Sequence, residues 1–170
     1  MGLERLLMVL QGSPSVFGTD VFQPWLSALP GLWRPDQRSL RLLADHLRAS
    51  VVIIGDGVRP SSTGRGYVLR RLLRRALTLL WRTDSTITLN DLPVPLIEHT
   101  LGQFGQDLGG GPVRYMIRGE EQRFAGLVSR GRRVLARFGP GPGRPLAEAD
   151  LRYLHETHGL PPELVTELLV

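Results

Sequence analysis

Gly55-Asp56-Gly57-Val58-Arg59-Pro60-Ser61-Ser62-Thr63-Gly64-Arg65-Gly66-Tyr67-Val68-Leu69-Arg70-Arg71-Leu72-Leu73-Arg74-Arg75-Ala76 is the stretch that decides the fold. A loop of glycine, proline and hydroxyl residues opens into a helix carrying two Arg-Arg pairs. At about 100° per residue, Arg70, Arg71, Arg74 and Arg75 share one arc. Val68, Leu69, Leu72, Leu73, Ala76, Leu77, Leu79 and Leu80 share the opposite arc. Such a helix buries its leucine face in a core and presents guanidinium groups on the other side. From Arg59 to Arg82 there are seven arginines and no acid. A helix balanced only for solubility would mix signs at three- or four-residue spacing. Three readings fit a one-signed face: a polyanion partner, acids contributed from elsewhere in the fold, or a plain solvated helix face. The basic stripe favours the polyanion, with nucleic-acid backbone as the partner.

The elements around this stretch also read as helices. Gly2 to Leu10 is short and amphipathic, stopped by Gln11-Gly12-Ser13-Pro14, and looks like a cut edge. Thr19 or Asp20 caps a second helix containing Phe22 and Trp25, and Pro30 to Arg38 reads as a connector. Ser39 to Ile54 carries Leu40, Leu43, Leu47, Val51 and Ile54 on one face. Within it, Asp45 and His46 read as a buried hydrogen-bonded pair rather than a catalytic one. After a polar turn at residues 83–91, Leu92 to Phe104 is the next helix, and Gly109-Gly110-Gly111-Pro112 closes it. Val113 to Phe138 is long, and its outer face bears Arg114, Arg118, Arg123, Arg130, Arg132, Arg133 and Arg137 against only Glu120 and Glu121. Arg114, Arg118, Arg130, Arg133 and Arg137 form a candidate second basic surface, which the sequence allows to be continuous with the first. Gly139-Pro140-Gly141-Pro142-Gly143 reads as a hinge; no Lys-Ser/Thr follows it, so it is not a phosphate loop. Helices over Ala147–His158 and Glu163–Val170 complete the chain. The fold class is mainly α, a helical bundle. Residues 1–30 pack onto a 31–138 core, 139–143 is the hinge, and 144–170 is a C-terminal helical part.

Composition narrows the function classes. The 170 residues carry a formal charge of +5, and every one of the 21 basic residues is arginine. No lysine is present for Schiff-base chemistry, and arginine favours forked phosphate contacts. The absence of cysteine rules out disulfides and thiolate metal sites and fits a reducing, cytoplasmic setting. No apolar run approaches the roughly 20 residues that span a bilayer, and no signal-peptide pattern opens the chain. His155 and His158 lie three apart at a helix end, which is weak grounds for a metal site, and none is expected.

Several motifs then resemble alanyl-tRNA synthetase. Met1-Gly2-Leu3-Glu4-Arg5, Val9-Leu10-Gln11-Gly12 and Thr19-Asp20-Val21-Phe22-Gln23-Pro24 resemble that family at and beyond its class II motif 3. Ala44-Asp45-His46-Leu47-Arg48, Asp56-Gly57-Val58 and Pro60-Ser61 through Arg75 resemble its tRNA-recognition domain. Glu120-Glu121-Gln122-Arg123-Phe124 and Leu151 through Pro161 are similar to later parts of the same domain, with the likeness vague between Leu77 and Met116. The resemblance implies a helical fold and a tRNA acceptor stem as partner. Together with the basic stripe it makes Arg59, Arg65, Arg70, Arg71, Arg74 and Arg75 candidate tRNA-binding residues facing phosphates. It puts Ser62 where the family has an asparagine, and Glu156 where it has an aspartate, the two residues that clasp a G·U pair. Serine offers one hydroxyl in place of an amide, and glutamate adds a methylene. Relaxed or altered base reading with retained backbone binding is therefore expected. Motifs 1 and 2 and the editing zinc ligands are not found in this sequence, so adenylation by this chain alone is not expected. No cofactor is expected either, and Arg5 is a motif 3 remnant or the donor of a structural salt bridge. Three functions fit: a stand-alone module docking tRNA for another protein, a piece of a split alanine–tRNA ligase working with a catalytic half, and a scaffold whose basic faces bind an acidic protein.

Overall fold

The computed structural model describes residues 2–138, 146–158, 160, 162, 165 and 166, without the side chains of residues 137 and 138. Seven α-helices are present among them and no strand: α1 (Leu3–Leu10), α2 (Gln23–Trp33), α3 (Gln37–Gly55), α4 (Gly64–Thr83), α5 (Val94–Gln103), α6 (Gly110–Phe138) and α7 (Glu148–His158). The chain divides into two compact units, Met1–Glu121 and Gln122–Val170. The hinge expected at 139–143 and most of the helix expected at 163–170 lie outside the described residues.

In the first unit α3 is the hub, with α2, α4 and α5 packed around it. Its sequence explains why. Leu43, Leu47, Val51 and Ile54 recur at helical spacing and are essentially inaccessible to water. Each such side chain contributes about 1.5–3 kcal/mol of apolar burial. The helix starts at Gln37, two residues earlier than its apolar stripe suggests, because Asp36 Oδ1 accepts from the Arg38 and Ser39 N–H groups. That cap satisfies two of the otherwise orphaned donors of the first turn. Hydrogen bonds from Ser39 hold the Asp36 carboxyl below the usual carboxylate range.

The connector expected from Pro30 to Arg38 shrinks to residues 34–36. α2 continues through Pro30 to Trp33, although proline removes one intrahelical donor. Trp25, Leu29 and Trp33 are all buried on its inner face, and their packing outweighs the lost bond. The helix stops at Arg34, whose left-handed backbone (φ 48°) reverses the chain. Trp25 is tied across the core: its indole Nε1–H donates to Thr100 Oγ1 at 3.0 Å, and that hydroxyl donates to the Leu96 carbonyl.

α1 differs from the other helices of this unit. It buries no residue, and Leu3, Leu6, Val9 and Leu10 are exposed. Its link to the hub is polar: Arg48 of α3, 4% exposed, donates from Nη1 to Glu4 Oε1 at 3.2 Å. The guanidinium lies over the rings of Phe22 and Phe104 at 4.8 and 5.5 Å, contacts that stabilise a desolvated cation. In the second unit, Phe124 and Leu135 of α6, Leu154 of α7, and Leu160 and Val165 are buried.

Candidate nucleic-acid interface

The loop ahead of α4 is folded back on the helix it feeds. Ser61 N–H donates to the Gly66 carbonyl at 3.1 Å, and Ser61 Oγ donates to the Thr63 carbonyl at 2.8 Å. Gly66 is buried beneath the loop. A Cβ at that position would collide with the Arg59 carbonyl and Ser61 Oγ and come within 2.9 Å of Ser61 Cβ. One of those obstacles is backbone, so the loop itself would have to move. Gly66→Ala is expected to lower stability by about 1–3 kcal/mol through overpacking, read as a lower melting temperature together with altered protection of the 59–63 amides. The fold-back leaves Arg59, Ser62 and Arg65 exposed around the start of α4.

Along α4 the structure separates the four paired arginines into two classes. Arg71 and Arg75 are exposed and make no ion pair among the described residues. Arg70 and Arg74 turn toward α6. Arg74 Nε donates to Glu120 Oε1 at 2.8 Å, and Arg70 Nε lies 3.5 Å from the same oxygen. Glu120 is 1% exposed. The expectation that all four guanidinium groups face a partner is corrected for these two, whose counter-charge comes from inside the fold. Charge reversal there would test folding, not binding. Val68 is a second correction: it is half-exposed, not part of the core, and joins Tyr67, Arg71 and Arg75 on the outer face. The inner face is Gly66, Leu69, Leu73, Ala76, Leu77 and Leu80.

Glu121, the next residue, anchors a different segment. About 100° further round the helix, its carboxylate accepts from Thr88 Oγ1 at 3.0 Å and Leu89 N–H at 3.3 Å. Burial pushes its pKa up; the Thr88 and Leu89 hydrogen bonds oppose that shift, Asp91 adds to it and Arg118 opposes it. A carboxyl whose folded pKa is raised contributes stability below its unfolded pKa and loses it as pH rises through the folded value. Glu121→Gln should remove that slope. Wild type is therefore expected to lose melting temperature relative to the variant as pH rises from the ordinary glutamate range, a difference that thermal scans across pH measure directly.

The remaining candidates are distributed over both units. Arg114, half-buried, and Arg118, exposed, belong to the first; Arg130 and Arg133, both exposed, belong to the second, and the side chain of Arg137 lies outside the described residues. Glu156 is exposed on α7, whose His158 ring packs edge-on against Tyr153 at 5.7 Å. Arg5 is exposed on α1, and the ion pair of that helix belongs to its neighbour Glu4. Asp45 and His46 do pair, at 3.1 Å, with the His46 side chain 13% exposed and the Asp45 side chain 53% exposed, so the imidazole is largely covered while the carboxylate meets water and the pair is only half-buried. Sequence reasoning missed Arg48 and Glu120 as structural anchors. The signal for Glu120 was present: two acids interrupt a helix otherwise rich in arginine. Among the described residues no three His, Asp or Glu side chains converge as metal ligands, and no helix is long and apolar enough to cross a membrane.

An alanine–tRNA ligase of Xanthomonas campestris pv. campestris (strain B100) is 35% identical over 173 residues, covering 99% of this chain and 20% of the relative. One from Xanthomonas oryzae pv. oryzae (strain PXO99A) matches to the same extent. One from Tropheryma whipplei (strain Twist) is 34% identical over 178 residues, again across 99% of this chain and 20% of the relative. The chain thus spans about a fifth of the length of these ligases. A family model described as tRNA synthetases class II (A) matches residues 1–170, and by that match the chain belongs to the class II tRNA synthetase family, with alanine–tRNA ligases as its homologues.

Proposed function

We propose that this chain is a tRNA acceptor-stem binding module, a stand-alone homologue of the alanyl-tRNA synthetase recognition domain that docks tRNA or aminoacyl-tRNA for another protein. The observation carrying the proposal is the outer face of α4. Arg71 and Arg75, one helical turn apart, stand exposed beside Tyr67 and Val68 with no acid paired to them among the described residues, and Arg59 and Arg65 flank the start of the same helix. A fold that neutralises Arg70 and Arg74 internally yet leaves these four uncompensated keeps a surface suited to polyphosphate. Binding of this kind needs no cofactor on this chain, and the protein would work in the cytoplasm, where charged tRNA is used. The test is filter binding at moderate salt with tRNA and a DNA duplex of matched length. A clear preference for tRNA is expected, and equal retention of the two would remove the proposal.

Base reading is assigned to Ser62 and Glu156. Each departs from the family residue, and a base-edge contact is worth about 1–3 kcal/mol of discrimination. The double change Ser62→Asn and Glu156→Asp is expected to sharpen preference for a G·U acceptor stem over a G·C one. Unchanged discrimination would remove both residues from the reading.

One observation favours a second reading, a part of an alanine–tRNA ligase that aminoacylates only with its adenylating half. α1 leaves Leu3, Leu6, Val9 and Leu10 exposed beside Arg5, as a surface completed by another domain would. Adding a catalytic fragment and measuring alanine transfer distinguishes the two: a gain favours the ligase piece, no gain the docking module.

A further inference from the structure

α6 carries a feature that the proposed duplex contact does not use. Tyr115, on its second turn, is 79% exposed, the most exposed of the large apolar or aromatic side chains of the described residues. It makes no hydrogen bond and no ring contact among them. A helical side chain leans over the turn N-terminal to its own Cα, which for Tyr115 is the turn holding Gly111. That position has no side chain, and a Cβ built there would meet nothing within 4 Å. Position 111 therefore offers no side chain to cover the ring, in keeping with its exposure. Arg118, three residues on and on the same side of the helix, is exposed and makes no ion pair among the described residues.

We infer that Tyr115 and Arg118 form a stacking site for an unpaired nucleotide of the bound RNA, the ring taking the base and the guanidinium its phosphate. A duplex keeps its bases stacked on one another and offers no free base face, whereas single-stranded segments are held by aromatic platforms beside cations. The outward-facing arginines of α4, Arg71 and Arg75, are placed against backbone, and no aromatic face of this exposure stands beside them, so the two surfaces have different tasks. The inference rests on the RNA-binding reading above and extends it from duplex to unpaired nucleotides.

The experiment uses the full chain and two labelled RNA hairpins, one blunt and one bearing a short unpaired 3′ extension, titrated by fluorescence anisotropy. The extension is expected to tighten wild-type binding about 5-fold to 150-fold, the range of one base stacked on an aromatic ring. Tyr115→Ala should abolish that gain while leaving blunt-hairpin affinity and melting temperature unchanged, and Tyr115→Phe should keep it. The inference is overturned if the extension adds nothing to wild type, if Tyr115→Ala retains the gain, or if that variant weakens both hairpins equally. Failure of wild type to bind either hairpin overturns the RNA-binding reading itself, so the two failures are told apart.

Discussion

Replacing Glu120 with alanine is expected to lower the unfolding free energy by about 3–5 kcal/mol, the cost of removing one partner from a buried ion pair. Natural domains hold only about 5–15 kcal/mol in total, so the variant should melt many degrees lower or fail to fold at ambient temperature. The physical reason is desolvation. Glu120 is 1% exposed, and the side chains of Arg70 and Arg74 are only 28% and 20% exposed. Without the carboxylate, two guanidinium groups held against α6 lose the acid that both approach through Nε. Glu120→Gln keeps the shape but turns an amide donor or a neutral oxygen toward two cations, and should recover only part of the loss. A more demanding check is the triple change Glu120→Leu, Arg70→Met, Arg74→Met. Replacing a buried ionic group by apolar side chains of similar volume is often neutral or stabilising, so the triple variant should melt well above Glu120→Ala. Equal melting temperatures for wild type and Glu120→Ala would show that the pair contributes nothing.

Much of this arrangement was legible in the sequence, and the parts that were not have identifiable causes. Of the α3 stripe expected at Leu40, Leu43, Leu47, Val51 and Ile54, the last four are fully buried and Leu40 is half-buried; a hub helix buries one continuous face, and burial of that kind shows in periodicity alone. Pro30 misled because a local rule against proline in a helix was overridden by the burial of Leu29 and Trp33. The triple glycine at 109–111 was read as the end of a unit, yet only Gly109 turns the chain, with φ at 78°. Gly110 belongs to α6, where the missing side chain lets the helix approach Val94 and Glu98 of α5. The arginines were harder. A wheel separates Arg70 and Arg74 from Arg71 and Arg75 by about 100°, but nothing local says which pair faces an acid. That acid lies 46 residues from Arg74 along the chain. Charge counted along a sequence gives the sign of a surface; only packing shows which charges remain on it.

The double charge reversal Arg71→Glu and Arg75→Glu should give the opposite phenotype to Glu120→Ala: an intact fold that no longer holds RNA. Both side chains are exposed and unpaired among the described residues, and surface changes away from caps, cores and networks move stability little. Melting temperature should stay near that of wild type. Each arginine removed takes away a charge-assisted hydrogen bond of about 1.5–3 kcal/mol, so tRNA affinity should fall about 100-fold or more at moderate salt. On the docking proposed above the contacts are to backbone, so all tRNAs should weaken alike. The salt dependence supplies the diagnostic number: with about 0.9 counterions released per duplex phosphate neutralised, the slope of log affinity against log salt should become shallower by about 1.8. Reversing Arg70 and Arg74 instead would place two more acids beside Glu120, and binding would then be lost together with the fold. A salt slope unchanged by the Arg71 and Arg75 reversal would mean that the outer face of α4 does not meet phosphate, and the docking surface would have to be sought elsewhere on the chain.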